Sequence, residues 1–275
     1  MPSPNNIDAP ITLIANGRSG TSLVMHVLGD HRDVDACGET QQLLVGSWHA
    51  AERAKGLVRP DPTLGEDAKF EARCAKVVRN AFLAMFPDTG TPRWMHKPIG
   101  VPWVFGLPPF RKMQPHERIA WYWRVIGQSF PKGRNITVLR HPYDVVLSAA
   151  QYWGVTHVAA WRSVVTMARI IAHPASDIDF AVSHARMTEN PDAEVARLLT
   201  ALDLEPDPAS VDATGKVFVP KMGMNKVPKH AVPDQVSRGF SRRTAWHEID
   251  MSEFTDAQRE VLTAMWARFG EELEL

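Results

Sequence analysis

The sequence predicts an α/β fold, a central parallel sheet flanked by helices, in one domain spanning residues 1–275. Two short apolar runs rich in β-branched residues, 11–15 (ITLIA) and 136–139 (ITVL), each stop at a turn and continue into a helical pattern. The stretches between strand candidates read as helices, which is how parallel strands are joined and how both faces of a sheet become covered. The composition, 44% hydrophobic and 23% charged, is that of a globular chain able to bury such a sheet.

Residues 11–15 end at Asn16-Gly17, so the first strand enters a tight turn, and residues 22–28 (SLVMHVL) are too densely apolar for a surface strand. The Ser/Thr cluster ahead of them supplies helix N-caps. Helices are expected over 41–57 and 66–86, punctuated by Pro60 and Pro62, with a short strand at 93–96. The proline-rich segment 100–115 (GVPWVFGLPPFRKMQP) predicts irregular chain that packs or lines a pocket, with Trp103, Val104, Phe105, Leu107 and Phe110 as its large apolar side chains. The strand at 136–139 passes through Arg140-His141-Pro142 into YDVVLSAAQYW, where proline suits a first helical turn. Helical periodicity also covers 117–130, 158–172, 192–202 and 255–269, and 178–182 (IDFAV) reads as another strand. Trp121 and Trp123 fall in a helical pattern and are expected in the core. Residues 220–239, long, basic and without periodicity, read as a flap.

Charge narrows the function classes. With 31 basic and 31 acidic side chains the formal net charge is zero, which argues against a protein that grips nucleic acid or an anionic membrane through its overall field. An anion must then meet a local cluster. Two cysteines, Cys37 and Cys74, make no disulfide framework, and no Cys/His spacing of zinc type occurs. The opening MPSPNNIDAP lacks the basic start and apolar run of a secretory signal, and no apolar run approaches a membrane span, so the expected location is cytoplasmic.

The first chemical signal is Gly17-Arg18-Ser19-Gly20-Thr21-Ser22, between a strand end and a helix start. Small residues let backbone N–H groups close around an oxyanion, the hydroxyls of Thr21 and Ser22 add donors, and the helix dipole favours negative charge. Aligned to the nucleoside-triphosphate pattern G-x-x-x-x-G-K-[ST], the chain has Ala15 in place of the first glycine and Thr21 in place of the lysine. That lysine reaches the outer phosphates, so its loss counts against a kinase. The second signal is Arg140-His141-Pro142-Tyr143-Asp144-Val145-Val146-Leu147-Ser148, a guanidinium at a strand end and a hydroxyl two turns into the next helix. Both can face one anion, since an arginine fork matches phosphate bidentately. Taken singly, an Arg140–Asp144 ion pair and a packed Ser148 explain these residues better than an anion site does.

Together these segments resemble the two cofactor-binding elements of sulfotransferases that use 3′-phosphoadenosine 5′-phosphosulfate (PAPS). In that family a loop [RK]-S-G-T-[ST] holds the 5′-phosphosulfate and R-x-P-x-D-x-x-x-S holds the 3′-phosphate. Here they correspond to Arg18, Ser19, Gly20, Thr21 and Ser22, and to Arg140, Pro142, Asp144 and Ser148. Shorter similarities are Gly38-Glu39, Lys97-Pro98 and Ser237-Arg238-Gly239, so the likeness spans residues 11–245. The segment VSHARMTENPDAEVARLLTALDLEP is similar to the family's RYEDL stretch, with Ser183 and His184 in place of the arginine and tyrosine. His184 is then the residue positioned to stack on or hydrogen-bond adenine. Leu23 stands where cytosolic members carry tryptophan, which brings the chain nearer the bacterial and carbohydrate-type branches.

The resemblance implies a phosphate-loop nucleotide-kinase-like sheet, the sulfotransferase fold, and a metal-free transfer of SO₃ from PAPS to a hydroxyl or amine of a small-molecule, lipid or glycan acceptor. Negative charge grows on the bridging oxygen as the bond to sulfur breaks, and cations aimed there lower the barrier. Arg18 and Lys97 are the candidate cations, and Glu39 and His96 the candidate bases for the acceptor proton. A phosphate-loop small-molecule kinase and a non-catalytic nucleotide-binding protein are the competing readings.

Overall fold

The structure is a computed structural model, and it describes residues 2–54, 67–215, 249, 254–273 and 275. Five strands, β1 (Ile11–Leu13), β2 (Val34–Glu39), β3 (Arg93–Lys97), β4 (Arg134–Leu139) and β5 (Phe180–Ser183), form one sheet of order β2-β3-β1-β4-β5 with every pairing parallel. The helices are α1 (Thr21–Gly29), α2 (Gln41–Ala54), α3 (Asp67–Met85), α4 (Val101–Val104), α5 (Pro108–Arg111), α6 (Pro115–Ser129), α7 (Pro142–Trp153), α8 (His157–Ala172), α9 (His184–Glu189), α10 (Pro191–Ala201), α11 (Pro208–Gly215) and α12 (Asp256–Ala267).

Strand β1 is at the centre, and Ile11, Thr12 and Leu13 have no exposed surface, which explains why the chain reads there as an unbroken apolar run rather than an alternating one. The two faces of the sheet carry separate apolar cores. One gathers Leu13, Val24, Leu28, Ile136, Val138 and Leu198. The larger one gathers Trp48, Phe82, Trp94, Tyr122, Trp161 and their neighbours, and Trp121 and Trp123 belong to it as expected. The chain leaves β3 on one side of β1 and returns as β4 on the other, so the strand order reverses beside β1. In an open parallel sheet that reversal leaves a crevice at the C-terminal strand ends, which is where a ligand fits.

Sequence and structure differ at identifiable places. Strand β2 was not foreseen: it is an edge strand of mixed burial, with Asp35 as its second residue and an irregular register near Gly38, so neither alternation nor an apolar run marks it. Glu39 consequently ends a strand. The segment 100–115, expected to be irregular, contains the single-turn helices α4 and α5, the second started by a proline in its first positions. Helices α9 and α11 were also unanticipated, being too short for a periodic signal. The expected flap at 220–239, Ser237-Arg238-Gly239 within it, and Pro60 and Pro62 lie outside the described residues. Among the described residues no helix is long and apolar enough to cross a membrane.

Candidate active site

The loop between β1 and α1 is built around two left-handed residues, Arg18 at φ 71° and Gly20 at φ 105°. Gly20 takes the N-cap of α1 without strain and donates no side-chain cap, so the first N–H groups of the helix face the crevice open. Non-glycine residues rarely adopt that conformation, at a cost of about 1–3 kcal/mol, so the rest of the site must hold Arg18 in it. Part of the restraint comes from Ser19, whose hydroxyl donates to the Asn16 carbonyl at 2.7 Å. Part comes from Arg140, whose Nη1 donates to the Arg18 carbonyl at 3.0 Å, across 122 positions of chain.

The two candidate anion-binding segments therefore meet directly. Arg140 also lies 3.7 Å from the carboxylate of Asp144 one helical turn on, so the ion pair that would explain Arg140 alone exists alongside its contact with the loop. From the other side, Arg18 Nε donates to Ser148 Oγ at 3.2 Å, and its guanidinium lies 4.1 Å above the Tyr152 ring. A small cavity opens beside this cluster between Asn16, Ser19 and Arg140 on one side and Val164, Met167 and Leu262 on the other.

A second pair stands across the loop. Glu39 and Lys97 are register partners at the ends of β2 and β3, with Lys97 Nζ 3.5 Å from the Glu39 carboxylate and 3.3 Å from Ser22 Oγ. The Lys97 side chain is 5% exposed and that of Glu39 40%, so the cation is enclosed and the carboxylate reaches water. Burial lowers the Lys97 pKa; Glu39 opposes that shift and Arg18 adds to it. Lys97, Ser22 and the open end of α1 thus converge on one point, the arrangement expected of a cradle for an anion.

His96 is placed elsewhere. It has no exposed surface, its two ring nitrogens meet Thr12 Oγ1 at 3.0 Å and Thr40 Oγ1 at 2.7 Å, and its ring stacks on Trp94 between Phe82 and Phe130. Burial takes its pKa down to about 3. His184, at the start of α9, is buried too, and burial first, then the charge of Arg140, lower its pKa to about 3. The β5–α9 junction that carries His184 is held by buried Glu194, which accepts from Ser183 N at 2.7 Å and Arg186 Nε at 3.0 Å.

These histidines carry a pH signature. Unfolded, each takes a proton below its ordinary pKa of about 6.5, while the native ring refuses it until about 3. Their contribution to stability is full above 6.5 and is lost as pH falls toward 3, with a slope of up to about 1.4 kcal/mol per pH unit for each ring. Denaturant titrations between pH 6.5 and 4 are expected to show that loss, and His96→Gln should flatten the slope by about one proton's worth.

Sequence reasoning had brought Arg18 to Ser22, Arg140, Ser148, Glu39 and Lys97 to the site, and the structure gathers all of them at the C-terminal edge of the sheet. It had missed Tyr152. The available signal was spacing: Asp144, Ser148 and Tyr152 recur every fourth residue along one ridge of α7. Among the described residues no group of three or more His, Cys, Asp or Glu side chains is placed to hold a metal ion.

Known proteins share this frame. The sulfotransferase domain of the Synechococcus PCC 7002 olefin synthase superposes with a TM-score of 0.54 at 15% identity, covering 96% of each chain. The sulfotransferase domain of the curacin biosynthetic pathway does so with a TM-score of 0.52 at 13% identity, covering 97% of this chain and 99% of that one. At such identities the likeness is one of fold. No curated protein matches the chain significantly. The sulfotransferase family profile, however, matches residues 10–208, a span that runs from β1 through the loop, Glu39, Lys97, Arg140 and Ser148, and the chain belongs to the sulfotransferase family.

Proposed function

We propose that the protein transfers a sulfuryl group from PAPS to a hydroxyl or amine of a small-molecule, lipid or glycan acceptor. The observation that carries this reading is the Arg140–Arg18 contact, which joins the two candidate anion-binding segments into one continuous cluster. The open N-terminus of α1, with Ser22 and Lys97 beside it, suits the 5′-phosphosulfate; Arg140 and Ser148 suit the 3′-phosphate.

In this scheme the N–H groups of Gly20, Thr21 and Ser22 hold the 5′-phosphate. Lys97 and Arg18 bring positive charge to the bridging oxygen as it becomes negative. Glu39, at the exposed end of its strand and ion-paired to Lys97, takes the acceptor proton. His96 supports β1 and β3 from within the core and takes no part in proton transfer, because both its nitrogens are engaged by threonines. His184, close enough to Arg140 to feel its charge, is the residue assigned to contact adenine. Catalysis proceeds without a metal, since fixed cations meet a sulfuryl group that carries less charge than a γ-phosphoryl group.

Calorimetry separates this from the kinase reading. The expected result is tight binding of 3′,5′-adenosine bisphosphate that is unchanged by chelator, and weak binding of magnesium-ATP. Arg140→Ala should remove most of the preference for the 3′-phosphorylated nucleotide over 5′-AMP, a loss of about 10- to 100-fold for a charge-assisted pair. Preference for magnesium-ATP, or an unaltered nucleotide preference in Arg140→Ala, overturns the assignment. A nucleotide that binds with no turnover of labelled PAPS in an acceptor screen would instead favour a non-catalytic binding protein.

A further inference from the structure

The turn that shapes the candidate anion-binding loop runs against its own sequence. Ser19 N donates to the Asn16 carbonyl at 3.3 Å, closing a four-residue turn with Gly17 and Arg18 at its centre. Arg18, the second central residue, has φ 71° while Gly17 is outside the left-handed region, the signature of a type II turn. Such turns favour proline first and glycine second, whereas this one has glycine first and arginine second. Glycine at the first position leaves the Gly17–Arg18 peptide free to rotate, and arginine at the second disfavours a positive φ. Contacts from outside the turn must therefore select it.

Asn16 supplies such a contact. Its Nδ2 donates to the Gly17 carbonyl at 3.2 Å, holding the peptide whose rotation would convert the turn. Its Oδ1 accepts from Ser163 Oγ at 3.2 Å, across 147 positions of chain. The two bonds fix the orientation of the amide, since turning it over would set its oxygen against the Gly17 carbonyl. Ser163 is carried by α8, which is anchored two residues earlier: the buried Trp161 stacks on Phe254 at 4.1 Å and donates to Gln258 of α12 at 2.9 Å. Val164 and Met167 of the same helix line the small cavity beside Asn16, so the hydroxyl–amide bond reaches the loop where apolar packing leaves space.

We infer that Asn16 is a positioning residue: braced by Ser163, its side chain keeps the loop in the turn that presents the open end of α1 to an anion. The inference rests on the reading of the loop given under Proposed function, in which the N–H groups of Gly20, Thr21 and Ser22 hold the 5′-phosphate. Gly20 follows directly on Ser19, so a rotated Gly17–Arg18 peptide would displace the chain where the helix begins. Neither Asn16 nor Ser163 needs to touch the nucleotide. The brace acts before binding, by sparing the ligand the cost of ordering the loop.

Ser163→Ala removes the brace without altering the loop's own residues, and Ser163→Thr returns the hydroxyl. In the protein without ligand, amide hydrogen exchange at Ser19, a residue 2% exposed, is expected to quicken about 2- to 10-fold in Ser163→Ala, the worth of one neutral hydrogen bond, and to recover in Ser163→Thr. Exchange at Ile14, whose N–H donates to the Ile136 carbonyl at 2.8 Å within the sheet, should not change, which separates a local effect from a general loss of stability. Affinity for 3′,5′-adenosine bisphosphate, measured by calorimetry, should fall by the same factor in Ser163→Ala and by about 5- to 50-fold in Asn16→Ala, which loses both bonds. Adding Ser163→Ala to Asn16→Ala should cost nothing further. Additive losses from the two substitutions overturn the brace, as does a Ser19 amide that exchanges in the wild type like an unprotected one, or equal quickening at Ser19 and Ile14. A wild-type protein that shows the expected exchange pattern but binds no bisphosphate would instead remove the functional reading, and with it the part of the brace in binding.

Discussion

Glu39→Gln is expected to lower sulfuryl transfer by about 10²- to 10⁴-fold, the usual worth of a positioned general base, while 3′,5′-adenosine bisphosphate binds as before. The substitution keeps shape and removes the proton acceptor. Its setting favours a clean result: the carboxylate ends an edge strand with 40% of its side chain exposed, so losing its charge leaves no buried group stranded apart from Lys97, which still has Ser22. His96→Gln is the control. Its expected effect is on the pH dependence of stability, because no acceptor reaches a ring with no exposed surface. A Glu39→Gln enzyme retaining more than about a tenth of wild-type kcat would mean that the proton leaves by another route.

How much of this was legible depends on where the physical signal sits in the chain. Strands β1 and β4 are largely buried, and each leads through a turn into a helix, so the apolar run and the turn residues announced them together. The candidate anion-binding loop was legible because its small residues and hydroxyls are contiguous. Edge strand β2 was not, since one partner and partial exposure relax the demand for an apolar pattern. This is why Glu39 could be named as a base without being seen as the strand partner of Lys97. Similarly, His96 has the letters of a base, and only the three-dimensional placement of Thr12, Thr40, Trp94 and Phe130 around it makes it a core residue. Residues Phe105 and Phe110, whose role the sequence left open, are buried in the larger core. The four-residue spacing from Ser148 marks Tyr152 on the same ridge of α7, but its partner Arg18 is 134 positions earlier, so the spacing could not show the contact.

Lys97→Met is expected to reduce transfer by about 10²- to 10³-fold, the range measured when one preorganised donor to a developing negative charge is removed. Methionine preserves most of the buried aliphatic stem, which matters because the side chain is 5% exposed and truncation to alanine would add a cavity to the loss of charge. The size of the effect follows from the surroundings. Burial has already stripped the ammonium of water and lowered its pKa, so it has little reorganising to do when charge appears on the bridging oxygen. Glu39 sits 3.5 Å away and works against that burial by favouring the charged form, so the two residues are energetically linked. The double variant Glu39→Gln/Lys97→Met should consequently lose less than the product of the two single losses. Nucleotide affinity provides the internal check: under the proposed function α1, Ser22 and Arg140 would still hold the bisphosphate, so binding should weaken far less than turnover. Equal losses in binding and turnover would make Lys97 a ground-state anchor, and the charge relief at the leaving oxygen would then fall to Arg18 alone.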